Sequence, residues 1–205
     1  MTKSTYVVVD DSVKLRGPSE MKDKVIHDMK RRHLLILLLC FLGMMSLMRY
    51  TAGQVSMYSG GVGILDLNFG NSAEYIQRTL ALLGNNGRQF YLTHFFPVDF
   101  MYAISYAAFY ACSLSFLLRK AGVKKRAVFC VGKLLPFGGM LFDWLENLCF
   151  ILVFLNYPSK INVLCVISSI CTILKFIFVY TSFIGVIILL ISHLVNQLIR
   201  KRSRQ

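Results

Sequence analysis

The stretch Phe142-Asp143-Trp144-Leu145-Glu146-Asn147 lies in the middle of a long apolar run. Asp143, Glu146 and Asn147 are spaced at i, i+3 and i+4, so a helix would place all three on one face. If that helix spans a bilayer, these polar groups are costly to bury and need partners. The stretch therefore predicts a membrane helix whose polar face packs against other helices.

The composition points to the same class of protein. The chain has 205 residues, of which 56% are hydrophobic, and its mean hydropathy is +0.57. Soluble domains are about 45–50% apolar, whereas runs of roughly 18 or more apolar residues indicate membrane spans. We therefore expect an all-α polytopic membrane protein, a four-transmembrane-helix bundle with a short helical cap in the first outer loop. The predicted parts are a basic tail at 1–33, a membrane domain at 34–196 and a second basic tail at 197–205. Within the membrane domain, the spans are predicted at about 34–53, 97–118, 127–156 and 161–193, and the outer loop is predicted at 54–91.

The net charge of +13 is concentrated in three clusters. They cover Lys22 to Arg32, Arg119 to Arg126 and Arg200 to Arg204, and each adjoins the end of an apolar run. Short cytoplasmic segments of membrane proteins carry such an excess of Lys and Arg, so both termini are expected in the cytoplasm. Anionic lipid head groups, and not nucleic acid, are the expected partners of these clusters. The plasma membrane and the membranes of the secretory pathway both fit this pattern.

The first apolar run, Leu34 to Met48, is short enough to be the core of a signal peptide. A long polar segment precedes it, and Arg49-Tyr50-Thr51-Ala52 is a poor cleavage site. We therefore favour an uncleaved signal-anchor helix that extends through Gly53.

The first outer loop contains one helical pattern. Asn71 or Ser72 can cap its start, and Gly84 is a natural stop. The sequence predicts a helix over roughly 72–83, followed by a turn at Asn85-Asn86-Gly87. Its apolar face would carry Ile76, Leu80 and Leu83.

The second span begins at Pro97, which suits the first position of a helix. Small residues recur every four positions in this span, so another helix can approach that face closely. Asp99 lies on the same stripe, one turn earlier. The small residues are Ala103, Ala107, Ala111 and Ser115.

The third and fourth spans form a hairpin that turns near Ser159. Asp143 and Lys175 are equally distant from that turn along the chain, so they are expected at the same depth, near the middle of the membrane. Glu146 lies one turn closer to the outside, opposite Thr172. Because pairing relieves the cost of a charge in the bilayer, Lys175 is predicted to pair with Asp143 or Glu146.

One lysine cannot fully neutralise two carboxylates that repel each other's ionisation. The second carboxyl group, together with Asp99, would form an acidic pocket, so Asp143, Glu146, Lys175 and Asp99 are the candidate catalytic residues. The predicted substrate pocket adds Arg88, Tyr91, His94 and Asn147. Structural roles are the alternative: an ion pair that fixes helix register, an Asp99 that complements the helix dipole and an Asn147 that bonds across helices.

The six cysteines all lie in apolar runs, and none forms a C-x-x-C pair. A disulfide-stapled outer domain and a zinc ribbon are therefore not expected. The acids and His94 lack a recognised metal-ligand spacing, so the sequence predicts neither a metal nor a cofactor.

Three elements, Gly87-Arg88-Gln89-Phe90-Tyr91, Asp99 and Asp143-Trp144-Leu145-Glu146-Asn147, resemble an uncharacterised family of four-pass membrane proteins. That family has an Asp-x-x-Glu-Asn pattern in its third span, and the resemblance covers roughly residues 60–180. It implies the four-span fold and no activity. Claudin-like proteins share the layout, but this outer loop lacks their Trp and paired Cys. Four-helix quinone-linked thiol reductases need a C-x-x-C, which this chain lacks.

The sequence shows no catalytic signature. The leading hypothesis is therefore a non-enzymatic membrane protein with a buried Asp/Glu–Lys network and a role in structure or interaction, with another membrane protein or a second copy as partner. The alternative is a small membrane enzyme or proton-coupled carrier that uses the intramembrane acidic pocket, with Asp143 or Glu146 as general acid/base or proton carrier.

Overall fold

The computed structural model describes residues 18–65, 72–123 and 125–202 and, within them, the side chains of residues 32–199 and 201–202. The described elements are helical. They are α1 (Pro18–Tyr58), α2 (Ala73–Phe90), a π-helical turn (Tyr91–Phe95), α3 (Phe96–Lys120), α4 (Arg126–Leu155) and α5 (Asn162–Arg202). Residues 1–17 of the tail predicted at 1–33, the outer-loop segment at 66–71, residue 124 and the last three residues lie outside the described residues.

Four helical stretches are long and apolar enough to cross a membrane, by length and composition. They are Arg32–Tyr58, Ala73–Lys120, Arg126–Leu155 and Asn162–Ile199. The predicted third span at 127–156 agrees with α4 to within one residue. The other spans are longer than predicted, and α5 continues to Arg202, so that much of the basic C-terminal tail is helical.

The second span differs most from its prediction. The structure has no loop before Pro97, because α2 continues through the π-helical turn into α3. In that turn the hydrogen bonds join residues five apart: the N–H of Phe96 donates to the carbonyl of Tyr91. A π-turn accommodates an extra residue without ending a helix. The predicted span at 97–118 is therefore the second half of one 48-residue helical stretch.

The start of α2 matches its sequence signals. Ser72 is the N-cap, and its hydroxyl accepts a hydrogen bond from the N–H of Tyr75. Gly84 has φ 62°, a left-handed conformation that favours glycine, and it interrupts the helix where a stop was predicted. The predicted apolar face is buried, with Ile76, Leu80 and Leu83 at 3% exposure or less.

The turn predicted at Asn85-Asn86-Gly87 is wrong, because the helix resumes there. The guanidinium of Arg88 donates to the carbonyl of Leu80 and to Oδ1 of Asn85, which ties the segments on either side of Gly84 together. Gly87 also lets α1 approach, since a Cβ there would lie 2.9 Å from Cβ of Tyr58. Side chain and packing contacts thus override the turn propensity of the three residues.

Two clusters of apolar side chains hold the helices together. The first joins α1, α2, α4 and α5 around Tyr91, Phe95, Phe96 and Phe154. The second surrounds Ala103, Tyr106, Ala107 and Tyr110 of α3 and includes Phe41 of α1. On the small-residue face of α3, Ala103, Ala107 and Ala111 are buried and Ser115 is partly buried. By contrast, α5 presents an apolar surface, with exposed residues from Val163 to Ile199.

Candidate functional site

A buried ion-pair network joins α4 to α5. The ammonium nitrogen of Lys175 lies 3.3 Å from Oδ1 of Asp143 and 2.5 Å from Oε2 of Glu146. All three residues are buried, with Lys175 at 6%, Asp143 at 2% and Glu146 at 0% exposure. The pairing predicted from equal depth is confirmed, and it is more extensive than predicted because Lys175 contacts both acids. Asp143 and Glu146 can share one cation since they lie one turn apart on the same face of α4.

Hydroxyl groups also contact both carboxylates. Tyr106 of α3 donates a hydrogen bond to Oδ2 of Asp143 at 3.1 Å. Oγ1 of Thr172 lies 2.5 Å from Oε1 of Glu146, at the position opposite Glu146 that the hairpin predicted. A buried charge is tolerated when its remaining lone pairs are hydrogen-bonded. Each carboxylate therefore contacts the Lys175 ammonium and one hydroxyl.

A second polar contact joins α3 to α4. Asn147 donates from Nδ2 to Oδ2 of Asp99 at 2.7 Å, and both residues are buried. Oδ1 of Asn147 has no hydrogen-bond partner among the described residues. Nearby, the indole N–H of Trp144 donates to the carbonyl of Phe100 at 3.3 Å. Residues 143, 144, 146 and 147 of α4 thus make polar contacts with both neighbouring helices.

Glycines of α4 make this close packing possible. A Cβ at Gly138 would lie 2.8 Å from Cδ1 of Phe178, and one at Gly139 would lie 3.0 Å from Cγ2 of Val179. Because these distances are shorter than ordinary contacts, only glycine lets α5 lie this close. Lys175 is one turn along α5 from Phe178, so the close approach brings its ammonium to the acids.

A cavity of about 250 Å³ adjoins the network. Its lining combines charged groups, two phenol rings and apolar side chains. The polar and charged lining residues are Arg49, Asp99, Tyr102, Tyr106, Asp143 and Lys175. The apolar lining residues are Met45, Met48, Ala52, Ile64, Phe176 and Val179. Concave sites with an apolar wall and a few converging polar groups are typical of ligand sites.

The structure brings together all four candidate catalytic residues. Asp99, Asp143 and Lys175 line the cavity, and Glu146, which is not among the lining residues, contacts Lys175. Asn147, predicted for the substrate pocket, holds Asp99 and is not itself among the lining residues.

The other three residues predicted for the pocket are not among its lining residues. Tyr91 is buried in the aromatic cluster, and its hydroxyl accepts a hydrogen bond from the N–H of Leu65. Arg88 stacks over the ring of Tyr157, 4.3 Å from its centroid. His94 is exposed and stacks on Phe90. They therefore support the packing of α2 and the π-helical turn.

Sequence reasoning missed Arg49, Tyr102 and Tyr106. Tyr102 and Tyr106 follow Asp99 by three and seven residues, which is the helical spacing for a shared face. That spacing could have indicated that Tyr102 and Tyr106 lie on the same helix face as Asp99. Arg49 was considered only as part of a poor cleavage site, and its placement on the cavity depends on how α1 packs.

Among the described residues, no group of three or more His, Cys, Asp or Glu side chains is arranged to hold a metal ion. The cysteines described are free thiols, and Cys149, Cys165 and Cys171 are buried. The chain matches no protein-family model, and neither curated proteins nor solved structures show significant similarity to it.

Proposed function

We propose that the chain is an integral membrane protein with four membrane-crossing stretches and a structural or interaction role that depends on the buried network. The exposed faces of α4 and α5 support the insertion. On α4, exposed apolar side chains extend from Val128 to Leu155, which is about 40 Å at 1.5 Å per residue. This length is sufficient for a hydrocarbon core of about 30 Å, with some tilt. Asp143, on the buried side of α4, lies level with the middle of that face.

The chain direction supports cytoplasmic termini. The last residues of α3 (Arg119 and Lys120), the short connection (Lys125) and the first residue of α4 (Arg126) are basic and lie at one end of the bundle. Since α4 and α5 are antiparallel, Lys201 and Arg202 lie at that same end. Basic residues gathered at one end favour the cytoplasmic side, where they would bind anionic lipid head groups.

The observation that carries the structural role is the position of Lys175 between Asp143 and Glu146. An ion pair in the membrane interior is specific because a shifted register would leave a charge without its partner. Tyr106 links the same group to α3. The network therefore fixes the relative position of α3, α4 and α5.

Charge-matched substitutions test this role. Lys175→Met leaves two buried acids without the ammonium, and breaking a buried pair in this way typically costs about 3–5 kcal/mol. Because Lys175 contacts both acids, Asp143→Asn with Lys175→Met would still leave Glu146 ionised. The matched variant is Asp143→Asn, Glu146→Gln and Lys175→Met together. It should recover most of the lost free energy of unfolding in detergent.

A role in the host cell is tested with the same variants. If the triple variant accumulates normally and replaces the wild-type chain without a phenotype, the network serves structure. If Lys175→Met unfolds at the same detergent concentration as wild type, the network does not hold the helices and the proposal fails.

A proton-coupled carrier or small membrane enzyme is the second candidate function. The observation that favours it is the cavity, which exposes Asp99 and Asp143 to a space large enough for a small ligand. Asp143 or Glu146 would carry the proton, and Lys175 would set the local charge. Asp99→Asn separates the two functions, because it keeps a hydrogen-bonding group beside Asn147. Normal abundance with a lost phenotype would favour the carrier or enzyme.

A further inference from the structure

The residues that line the cavity lie in the middle of the bundle and towards one of its ends. On α1 they begin at Met45, the middle of the apolar stretch Arg32–Tyr58, and they end at Ala52. On α3 they end at Tyr106, within the first half of that helix. A further lining residue, Ile64, follows the end of α1. The cavity therefore extends from the middle of the bundle towards the end opposite the basic connection between α3 and α4, here called the outer end.

Aromatic rings from three helices meet on the other side of the cavity. On each of α1, α3 and α5, an aromatic residue lies four positions further towards the inner end than the last lining residue. The three residues are Phe41, Tyr110 and Phe183. The centroid of the Tyr110 ring lies 5.8 Å from that of Phe41 and 6.5 Å from that of Phe183. Rings at these distances are in contact, so they form an aromatic barrier between the cavity and the inner end.

The size and the lining of the cavity favour water inside it. Its volume of about 250 Å³ greatly exceeds the roughly 10–15 Å³ that one water needs. Apolar cavities stay dry, whereas roomy cavities with several polar partners hold ordered water. The side chains of Asp143 and Lys175 are among the polar groups that line this one. Charged side chains within membrane helices typically face the bundle interior or a water-filled space.

Arg49 points to the same conclusion independently. It belongs to the apolar stretch Arg32–Tyr58 and lines the cavity. It is exposed, and it makes no hydrogen bond or ion pair within the described part of the chain. A guanidinium group cannot lose its charge in a protein, so inside a membrane it requires either a partner or water. Water in the cavity meets that requirement.

We propose that the cavity is a water-filled vestibule that opens at the outer end of the bundle and stops at the aromatic barrier. Protons and small hydrophilic solutes then reach Asp143 and Lys175 from the outer side only. This inference rests on the membrane insertion in the proposed function, and it gives the second candidate function its path of access to the buried network.

The reaction of introduced cysteines with a membrane-impermeant reagent tests the vestibule. The full-length chain without its native cysteines carries Met48→Cys or Ala52→Cys, and intact cells receive 2-(trimethylammonium)ethyl methanethiosulfonate. Both lining positions should react, because the reactive thiolate forms where water is present. Leu47→Cys is the matched control, since Leu47 is 43% exposed, adjoins Met48 and is not a lining residue. Facing lipid, this thiol should react at least about tenfold more slowly.

A cysteine beyond the aromatic barrier tests whether access is one-sided. Leu114 follows Tyr110 by four residues, and its exposure of 4% is comparable with the 8% of Met48. Leu114→Cys should therefore stay unreactive in intact cells while Met48→Cys reacts. The difference would reflect the barrier, since the two side chains are similarly buried.

Two results would overturn the proposal. One is the absence of reaction at both Met48→Cys and Ala52→Cys, and the other is reaction of Leu47→Cys or Leu114→Cys at the same rate as these two. Asn86→Cys, treated in the same way, identifies the outer side of the membrane independently. A protein that reacts at Asn86→Cys but at neither lining position is inserted as proposed and has no vestibule. The structural role of the network is judged separately, by the unfolding of the Lys175→Met protein.

Discussion

The ammonium nitrogen of Lys175 lies 2.5 Å from Oε2 of Glu146, which is closer than its 3.3 Å distance to Oδ1 of Asp143. Glu146 is completely buried, and the ammonium of Lys175 offsets the cost of its charge in an apolar region. Oγ1 of Thr172 contacts the other oxygen of the same carboxyl group. The glutamate is therefore held from α5 at two points, one turn apart.

Removing the amide of Asn147 should destabilise the protein. Asn147→Ala removes the hydrogen bond that Nδ2 of Asn147 donates to the buried carboxyl group of Asp99, and the loss of such a bond typically costs about 1–3 kcal/mol. Leu148→Ala is the matched control, because the neighbouring Leu148 is 50% exposed. Unfolding in detergent should distinguish the two. Equal midpoints for Asn147→Ala and wild type would show that the contact contributes nothing.

Adding a methyl group between α4 and α5 should separate these helices. In Gly138→Ala the new Cβ would lie 2.8 Å from Cδ1 of Phe178, so the ring or a helix must move. Overpacking of this kind typically costs about 1–3 kcal/mol. Gly53→Ala, whose Cβ would meet no atom within 4 Å, measures the general effect of replacing a helical glycine by alanine. If Gly138→Ala is at least as stable as Gly53→Ala, the close approach is unnecessary.

Single cysteines can determine the orientation in the membrane. Asn86 and Lys125 are both exposed; Asn86 lies in the first third of the 48-residue helical stretch, before the π-helical turn, and Lys125 lies beyond its last residue. In a background without native cysteines, an impermeant maleimide should label Asn86→Cys in intact cells and Lys125→Cys only after permeabilisation. The reverse pattern would place the termini outside.

The charged part of the site was predictable because it depends on simple geometry. Asp143 and Lys175 are equally far from the hairpin turn, and a fixed rise per residue makes distance along the chain a measure of depth. Pairing then follows from the cost of a lone charge. The hairpin also placed Thr172 opposite Glu146. These inferences needed neither the rotation of a helix nor the packing of its neighbours.

The predictions for residues 85–94 were less accurate because they depended on how each helix is rotated about its axis and packed against its neighbours. The assignment of Arg88, Tyr91 and His94 to the substrate pocket rested on their positions along the chain alone. Tyr91 instead joins Phe95, Phe96 and Phe154, a choice decided by contacts between distant segments. Local turn propensity also failed at Gly87. The contribution of Arg49 required the packing of α1, which a lone apolar run does not specify.

The most direct test of the central claim is a double-mutant cycle between Lys175 and Glu146. The free energy of unfolding is measured in detergent for wild type, Lys175→Met, Glu146→Gln and the double variant. Such a cycle isolates the interaction of the two side chains, and contacting charged residues typically couple by about 0.5–3 kcal/mol. We predict a coupling of at least about 1 kcal/mol, because the pair is buried. A coupling indistinguishable from zero would contradict the claim that Lys175 and Glu146 hold α4 and α5 together.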